Sequence, residues 1–250
     1  MNQTIPSTSP GEYEPLISPE LIRKVLICIA VLGVLTILLS IGGRWMGQRM
    51  ATAGFSTETA PVALRIGDQH LELPANTIRF ESQRVDGDYE RIEAYVSWPA
   101  LEGYSRAQSA IFNGSGNAHQ LVFLTMSERA MPLDMSERLT SVYSRLTTDQ
   151  AIPGQHGLTE YEFDANTRYA GEYLYIGDRP GQSKFVVRCL RSEGLPNGAR
   201  ACMRDVNIAP DLTLTYRFSH RLLPEWQTLD RSITSFVKGA LAAGNKRPAA

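Results

Sequence analysis

Cys189 and Cys202 are the residues whose type and spacing promise a covalent reaction, oxidation to a disulfide. Phe185, Val187 and Cys189 share one parity of an apolar strand pattern, and Ala201–Val206 returns after a loop holding Gly194, Pro196, Asn197 and Gly198. Folding this hairpin about Pro196–Asn197 brings the two cysteines within a residue or two of direct opposition. A bridge needs Cα atoms closer than about 7 Å, which such a pair satisfies. It would close a loop of about 14 residues and add roughly 3 kcal/mol in the chain-entropy model. The competing state is two unpaired thiols, one of them in a core. The bridged state requires an oxidising compartment, so the pair also bears on where the domain resides.

Other chemistries lack their residues. His70, His119, His156 and His220 are far apart, none at an H-x-x-x-H or H-E-x-x-H spacing, so no metal site is predicted. Gly114-Ser115-Gly116 lacks the spacing of a nucleophile elbow, and Gly177 to Lys184 lacks that of a phosphate loop. No G-x-G-x-x-G opens a helix and C-x-x-C is absent, so no cofactor is expected. The nearest approach to a nucleophile and base is Ser219 beside His220, with Glu225 following. Neighbours in sequence seldom reach working geometry. The same residues suit a helix start, with Ser219 as cap and His220 exposed in the first turn. No catalytic residue is therefore assigned. Tyr169, Tyr173 and Tyr175 cluster as they would for sugar or peptide binding, but strand tyrosines are usually packing residues.

The element that positions everything else is the uncharged run Val25 to Gly43. As a helix it spans nearly 30 Å, the thickness of a bilayer's hydrocarbon core. Val25, Leu26, Ile27, Leu32, Leu35, Ile37, Leu38 and Leu39 face lipid in this reading, and Trp45 sits at the interface. Thr36 and Ser40 can bond back to helix carbonyls. A cleaved signal peptide is the competing reading, because Ala51-Thr52-Ala53 has the form of a cleavage site. The apolar run is too long for it, and Arg44, Trp45 and Arg49 intervene. A buried core helix of this length and purity is rare. Arg23 and Lys24 on one flank balance Arg44 and Arg49 on the other, so the positive-inside rule gives a tie. The cysteine pair breaks it in favour of an exported C-terminal domain.

Along the chain, residues 1–20 form a Pro-rich tail expected to be disordered on the cytoplasmic side, 21–44 the transmembrane helix and 45–60 a linker. Ser18 and Pro19 read as the helix start. Gly43 and Gly47 form a G-x-x-x-G spacing, which carries a weak expectation of a homodimer through the anchor. Residues 61–241 form the domain, and 242–250 a frayed tail. Val62, Leu64 and Ile66 alternate, Gly67-Asp68 turns, and His70–Leu73 returns, a hairpin signal. Ile78 and Phe80 continue the β pattern. Ile92, Ala94, Val96 and Trp98 occupy the core parity of a strand, with Tyr95 on the other. Leu121–Leu124, Leu158–Phe163, Tyr173–Ile176, Lys184–Leu190, Ala201–Val206 and Leu212–Phe218 are further strands. Asp134 to Glu137 reads as a capping box opening a helix of about three turns through Leu139, Val142, Tyr143 and Leu146.

In the last helix, Leu222, Trp226, Leu229, Ile233 and Phe236 form an apolar stripe, with Glu225, Asp230, Arg231 and Lys238 off it. Such a stripe packs on its own sheet or offers an interaction face to a partner or a membrane. Strands and helices that do not alternate regularly predict an α+β class: one transmembrane helix, then a largely antiparallel sheet with two or three packed helices.

The chain has 250 residues, a net charge of −1 and 20% charged residues, so nothing argues for a nucleic-acid partner. The expectation is a single-pass inner (plasma) membrane protein with its C-terminal domain outside the cytoplasm. That domain interacts with or scaffolds an envelope protein and is non-enzymatic. The alternatives are an anchored envelope hydrolase and a cytoplasm-facing regulatory module.

Overall fold

The computed structural model describes residues 19–51, 54–154, 156–191 and 201–246. Helix α1 spans Pro19–Ala51, and Thr36 Oγ1 bonds the Leu32 carbonyl at 2.8 Å. Its Glu20–Gly43 stretch has a mean hydropathy of 2.9 and no residue buried against the rest of the chain. It is long and apolar enough to cross a bilayer. The helix continues past the expected end of the span at 44 to Ala51, into the first part of what was expected as linker. Arg, Met and Gln are good helix formers, and no proline interrupts them. The side chain of Trp45, the tail before Pro19 and the cap at Ser18 lie outside the described residues. So do the turn at Pro196–Asn197 and the residues after Lys246.

A second unit begins at Gly54. In chain order its strands are β1 (Pro61–Ile66), β2 (Gln69–Pro74), β3 (Gly87–Asp88), β4 (Arg91–Ser97), β5 (Leu121–Glu128), β6 (Thr147–Pro153), β7 (Leu158–Phe163), β8 (Glu172–Gly177), β9 (Phe185–Leu190), β10 (Ala201–Ala209) and β11 (Leu212–Ser219). The helices are α2 (Ser109–Phe112), α3 (Arg138–Ser141) and α4 (Trp226–Gly244). Among the described residues the main sheet has eight strands in the order β4-β5-β11-β10-β9-β8-β7-β6, every neighbour antiparallel. The α+β class read from the sequence is therefore the observed one.

Period-two alternation explains the register. Ile92 faces Met126, Ala94 faces Leu124, and Leu124 in turn faces Tyr216, so the apolar parities line up across neighbouring strands. That face is buried under α4 and the β1–β2 hairpin. Gly244 lets α4 approach β2, because a Cβ there would sit 2.5 Å from the His70 carbonyl carbon. The opposite face carries two smaller clusters. One gathers Tyr95, Tyr104 and Phe112 around Phe55, which stacks on Tyr104 at a centroid distance of 4.6 Å. The other gathers Met135, Tyr143, Phe163, Leu174 and Val186.

Several expectations need correction. Tyr95 is buried, because both faces of β4 are covered. The capping box forms, with the Asp134 carboxylate accepting from the N–H groups of Ser136 and Glu137 and Glu137 reaching back to the Asp134 N–H. The helix behind it is only α3 and a 3-10 turn, Tyr143–Arg145, before β6 begins. Ile78 makes a single bridge to Ala94, and Phe80 opens onto solvent instead of continuing a strand. Phe55 packs with the cluster around Tyr95, and α4 runs to Gly244. The α4 stripe is core: Leu222, Trp226, Leu229 and Ile233 are buried and Phe236 packs against them.

Candidate functional site

The cysteines meet as the hairpin geometry requires. Cys189 on β9 and Cys202 on β10 are direct cross-strand partners, bridged by a disulfide with Cα atoms 4.0 Å apart. Both are buried, whereas Cys28 in α1 is an exposed free thiol. The bridge is a cross-strand staple inside the core.

Two residues beyond Cys202, on the same inward parity, sits Arg204. It is 1% exposed, which is tolerable only if its charge and its five donors are satisfied. Asp230 supplies the countercharge from α4, itself 4% exposed. Its Oδ1 accepts from Arg204 Nε at 3.0 Å and from the Tyr216 hydroxyl at 2.7 Å. Its Oδ2 accepts from Arg179 in the β8–β9 loop. Arg204 Nη1 also donates to Ser136 Oγ at 3.0 Å and to the Val186 carbonyl at 2.8 Å. The guanidinium lies 4.9 Å from the Phe185 ring centroid, a cation–π contact. One carboxylate thus ties α4 to β10, β11 and the β8–β9 loop.

The electrostatics follow from burial. The Tyr216 hydroxyl titrates well above the ordinary tyrosine range, first because it is buried and then because Asp230 is beside it. Burial lowers the Arg179 pKa against the pull of Asp230. Burial also acts to lower that of Arg204, but Tyr216 and Asp230 outweigh it and the net direction is up. Asp230 already accepts from three donors. It is a structural anion here, with no geometry for abstracting a proton from a ligand.

This network floors a cavity of about 490 Å³ between α4, the β8–β9 loop and the end of β10. Arg231, Thr234 and Lys238 of α4 line one wall, and Asp134 and Asn207 lie opposite. Sequence reasoning missed this site because Asp230 was placed off the buried stripe. The parity of β10, which turns Arg204 inward with Cys202, was the available signal. A buried arginine demands a carboxylate partner.

A second cavity, about 470 Å³, brings together His156, Glu160, Tyr175 and His220. His220 Nε2 lies 3.3 Å from the Tyr175 hydroxyl. No group of three or more His, Cys, Asp or Glu able to hold a metal occurs among the described residues. Ser219, His220 and Glu225 do not converge. Ser219 Oγ accepts from the Arg221 N–H as a cap, and Glu225 accepts from the Trp98 indole N–H at 3.1 Å. Tyr169 joins the Tyr143–Phe163 cluster, while Tyr173 and Tyr175 face the main core.

No protein-family model matches the sequence, and no curated protein matches it. Among solved structures the chain is similar to an immunity protein of the Stenotrophomonas maltophilia type IV secretion system, with a TM-score of 0.53 and 15% identity over 73% of this chain and 94% of that one. It also matches the Neisseria meningitidis iron-regulated outer membrane lipoprotein FrpD, with a TM-score of 0.49 and 12% identity over 75% of this chain and 95% of that one. At 15% identity the likeness to the immunity protein establishes a shared fold.

Proposed function

We propose that this is a single-pass, membrane-anchored protein of the cell envelope whose domain lies outside the cytoplasm and binds another protein without catalysing a reaction. The observation that carries this reading is how the charged and polar side chains are engaged. Asp230 accepts from three donors, Ser219 caps a turn and Glu225 holds Trp98, so side chains that chemistry would use serve as structural ties. The apolar Glu20–Gly43 helix supports the anchor, and the buried Cys189–Cys202 bridge supports the oxidising side of the membrane. The fold shared with an immunity protein of a secretion system is in keeping with an envelope protein that works by binding another protein.

The test is in-cell crosslinking of the full chain followed by purification under denaturing conditions. A discrete protein adduct is expected. Its absence, together with His220-dependent hydrolysis of peptidoglycan by the purified protein, would favour the hydrolase reading. That reading draws on the His156–Glu160–Tyr175–His220 cavity.

A further inference from the structure

The cavity beside α4 has an unbalanced charge. Its lining carries four cations, Arg179, Arg204, Arg231 and Lys238, against three carboxylates, a net charge of +1. Asp230 holds Arg204 and Arg179, Asp178 pairs with Lys184 at 3.2 Å, and Asp134 accepts from the backbone N–H groups of its capping box. Arg231 and Lys238 line the same cavity and have no ion-pair partner among the described residues. The chain as a whole is near neutral, at −1. The excess positive charge is therefore a local property of this wall.

The geometry of the wall is fixed. Gln227, Arg231, Thr234 and Lys238 follow a 4-3-4 spacing along one side of α4, and all four line the cavity. The row is about 16 Å long at 1.5 Å per residue, which matches an extended segment of about five residues. The floor is rigid because Asp230, beneath Arg231, is bonded to three elements. Arg179 is further held by Ser183, its Nε donating to the Ser183 carbonyl at 2.8 Å. A preformed cleft loses little entropy on binding, so modest rim charges can register as affinity and orientation.

We infer that the cavity between α4, the β8–β9 loop and the end of β10 is the docking site for an acidic segment of a protein partner, with Arg231 and Lys238 as the reading residues. The inference rests on the protein-binding role proposed above and names the chemistry of its partner. Arg231 and Lys238 are about 10 Å apart along the helix, so charge complementarity selects an extended segment with carboxylates about three residues apart. Thr234 offers a neutral polar contact between the two cations, and Gln227 offers one beyond Arg231.

The test uses the full chain in detergent micelles, with a fluorescent hexaglutamate peptide as probe and hexalysine as control. Saturable hexaglutamate binding is expected, weakening with added salt. Arg231→Gln/Lys238→Gln should weaken it by about tenfold, about 1.4 kcal/mol for the pair. Arg65→Gln/Arg91→Gln, on other surfaces, should leave it unchanged. The reversed pair, Arg231→Glu/Lys238→Glu, should bind hexalysine in place of hexaglutamate, a gain that misfolding would not produce. Absence of saturable hexaglutamate binding, or binding indifferent to these substitutions, overturns the inference. In-cell crosslinking separates the two claims. An adduct that persists in Arg231→Gln/Lys238→Gln sinks the docking site and leaves the protein-binding role standing. No adduct in the unmodified protein overturns that role and this inference with it.

Discussion

Asp230 concentrates the consequences of single-residue change. Replacing it by Ala leaves Arg204 buried without its countercharge, which costs about 3–5 kcal/mol. Asp230→Asn should lie between, because it keeps hydrogen-bonding capacity but loses the charge. Tyr216→Phe removes one charge-assisted bond and should cost about 1–2 kcal/mol, read by urea denaturation of the domain. The pH dependence has a definite sign. The folded-state pKa of Tyr216 lies above the unfolded value of 10.0, so its contribution is fully present below about pH 10. It is lost as pH rises through the folded pKa. Tyr95 and Tyr143 are raised in the same direction by their own burial, so the alkaline loss is a sum. Tyr216→Phe should reduce that loss without abolishing it, and an unchanged slope would contradict the assignment. Along the chain only the inward parity of Arg204 with Cys202 was legible, because Asp230 is an ordinary charged residue until the fold brings the two together. The Cys189–Cys202 pairing was legible because strand parity and one turn fix it.

At the scale of elements, α4 is the member that organises the domain, and two of its glycines test how. Gly239 has open space around it, so Gly239→Ala should stabilise by about 0.5–1 kcal/mol through helix propensity. Gly244→Ala gains the same propensity but drives a Cβ into the backbone of β2. Overpacking of about 1–3 kcal/mol should win, and thermal denaturation should show shifts of opposite sign. The staple between β9 and β10 is the other elemental constraint. Cys189→Ala/Cys202→Ala should cost about 3 kcal/mol, since it frees the enclosed loop in the unfolded state. β1 and β11, with one face in the core, were readable from alternation alone; in β4 alternation gave the core parity but not the burial of Tyr95 on the other face. β6 was not, because it is the exposed edge of the sheet and Thr147–Pro153 carries no apolar parity. The helix expected after the capping box failed for a related reason. Leu139, Val142, Tyr143 and Leu146 satisfy a helical period, yet they fill a small cluster under β7–β9 that needs only one short turn of helix.

At the scale of the molecule, an apolar helix, a stapled antiparallel domain and a charged cleft are the parts of the proposed anchored binding protein. The helix and the class of the domain follow from hydropathy and periodicity. The cleft does not, because it arises from elements that meet only in three dimensions. The claim that holds these parts together is that the domain lies on the oxidising side of a membrane. The most direct measurement is the redox state of the three cysteines in intact cells. Thiols are trapped by acid, alkylated under denaturing conditions with and without reductant, and counted by mass. The account predicts one alkylated thiol, Cys28, without reductant and all three with it. Three alkylated thiols without reductant would place Cys189 and Cys202 in a reducing compartment and contradict the extracytoplasmic domain.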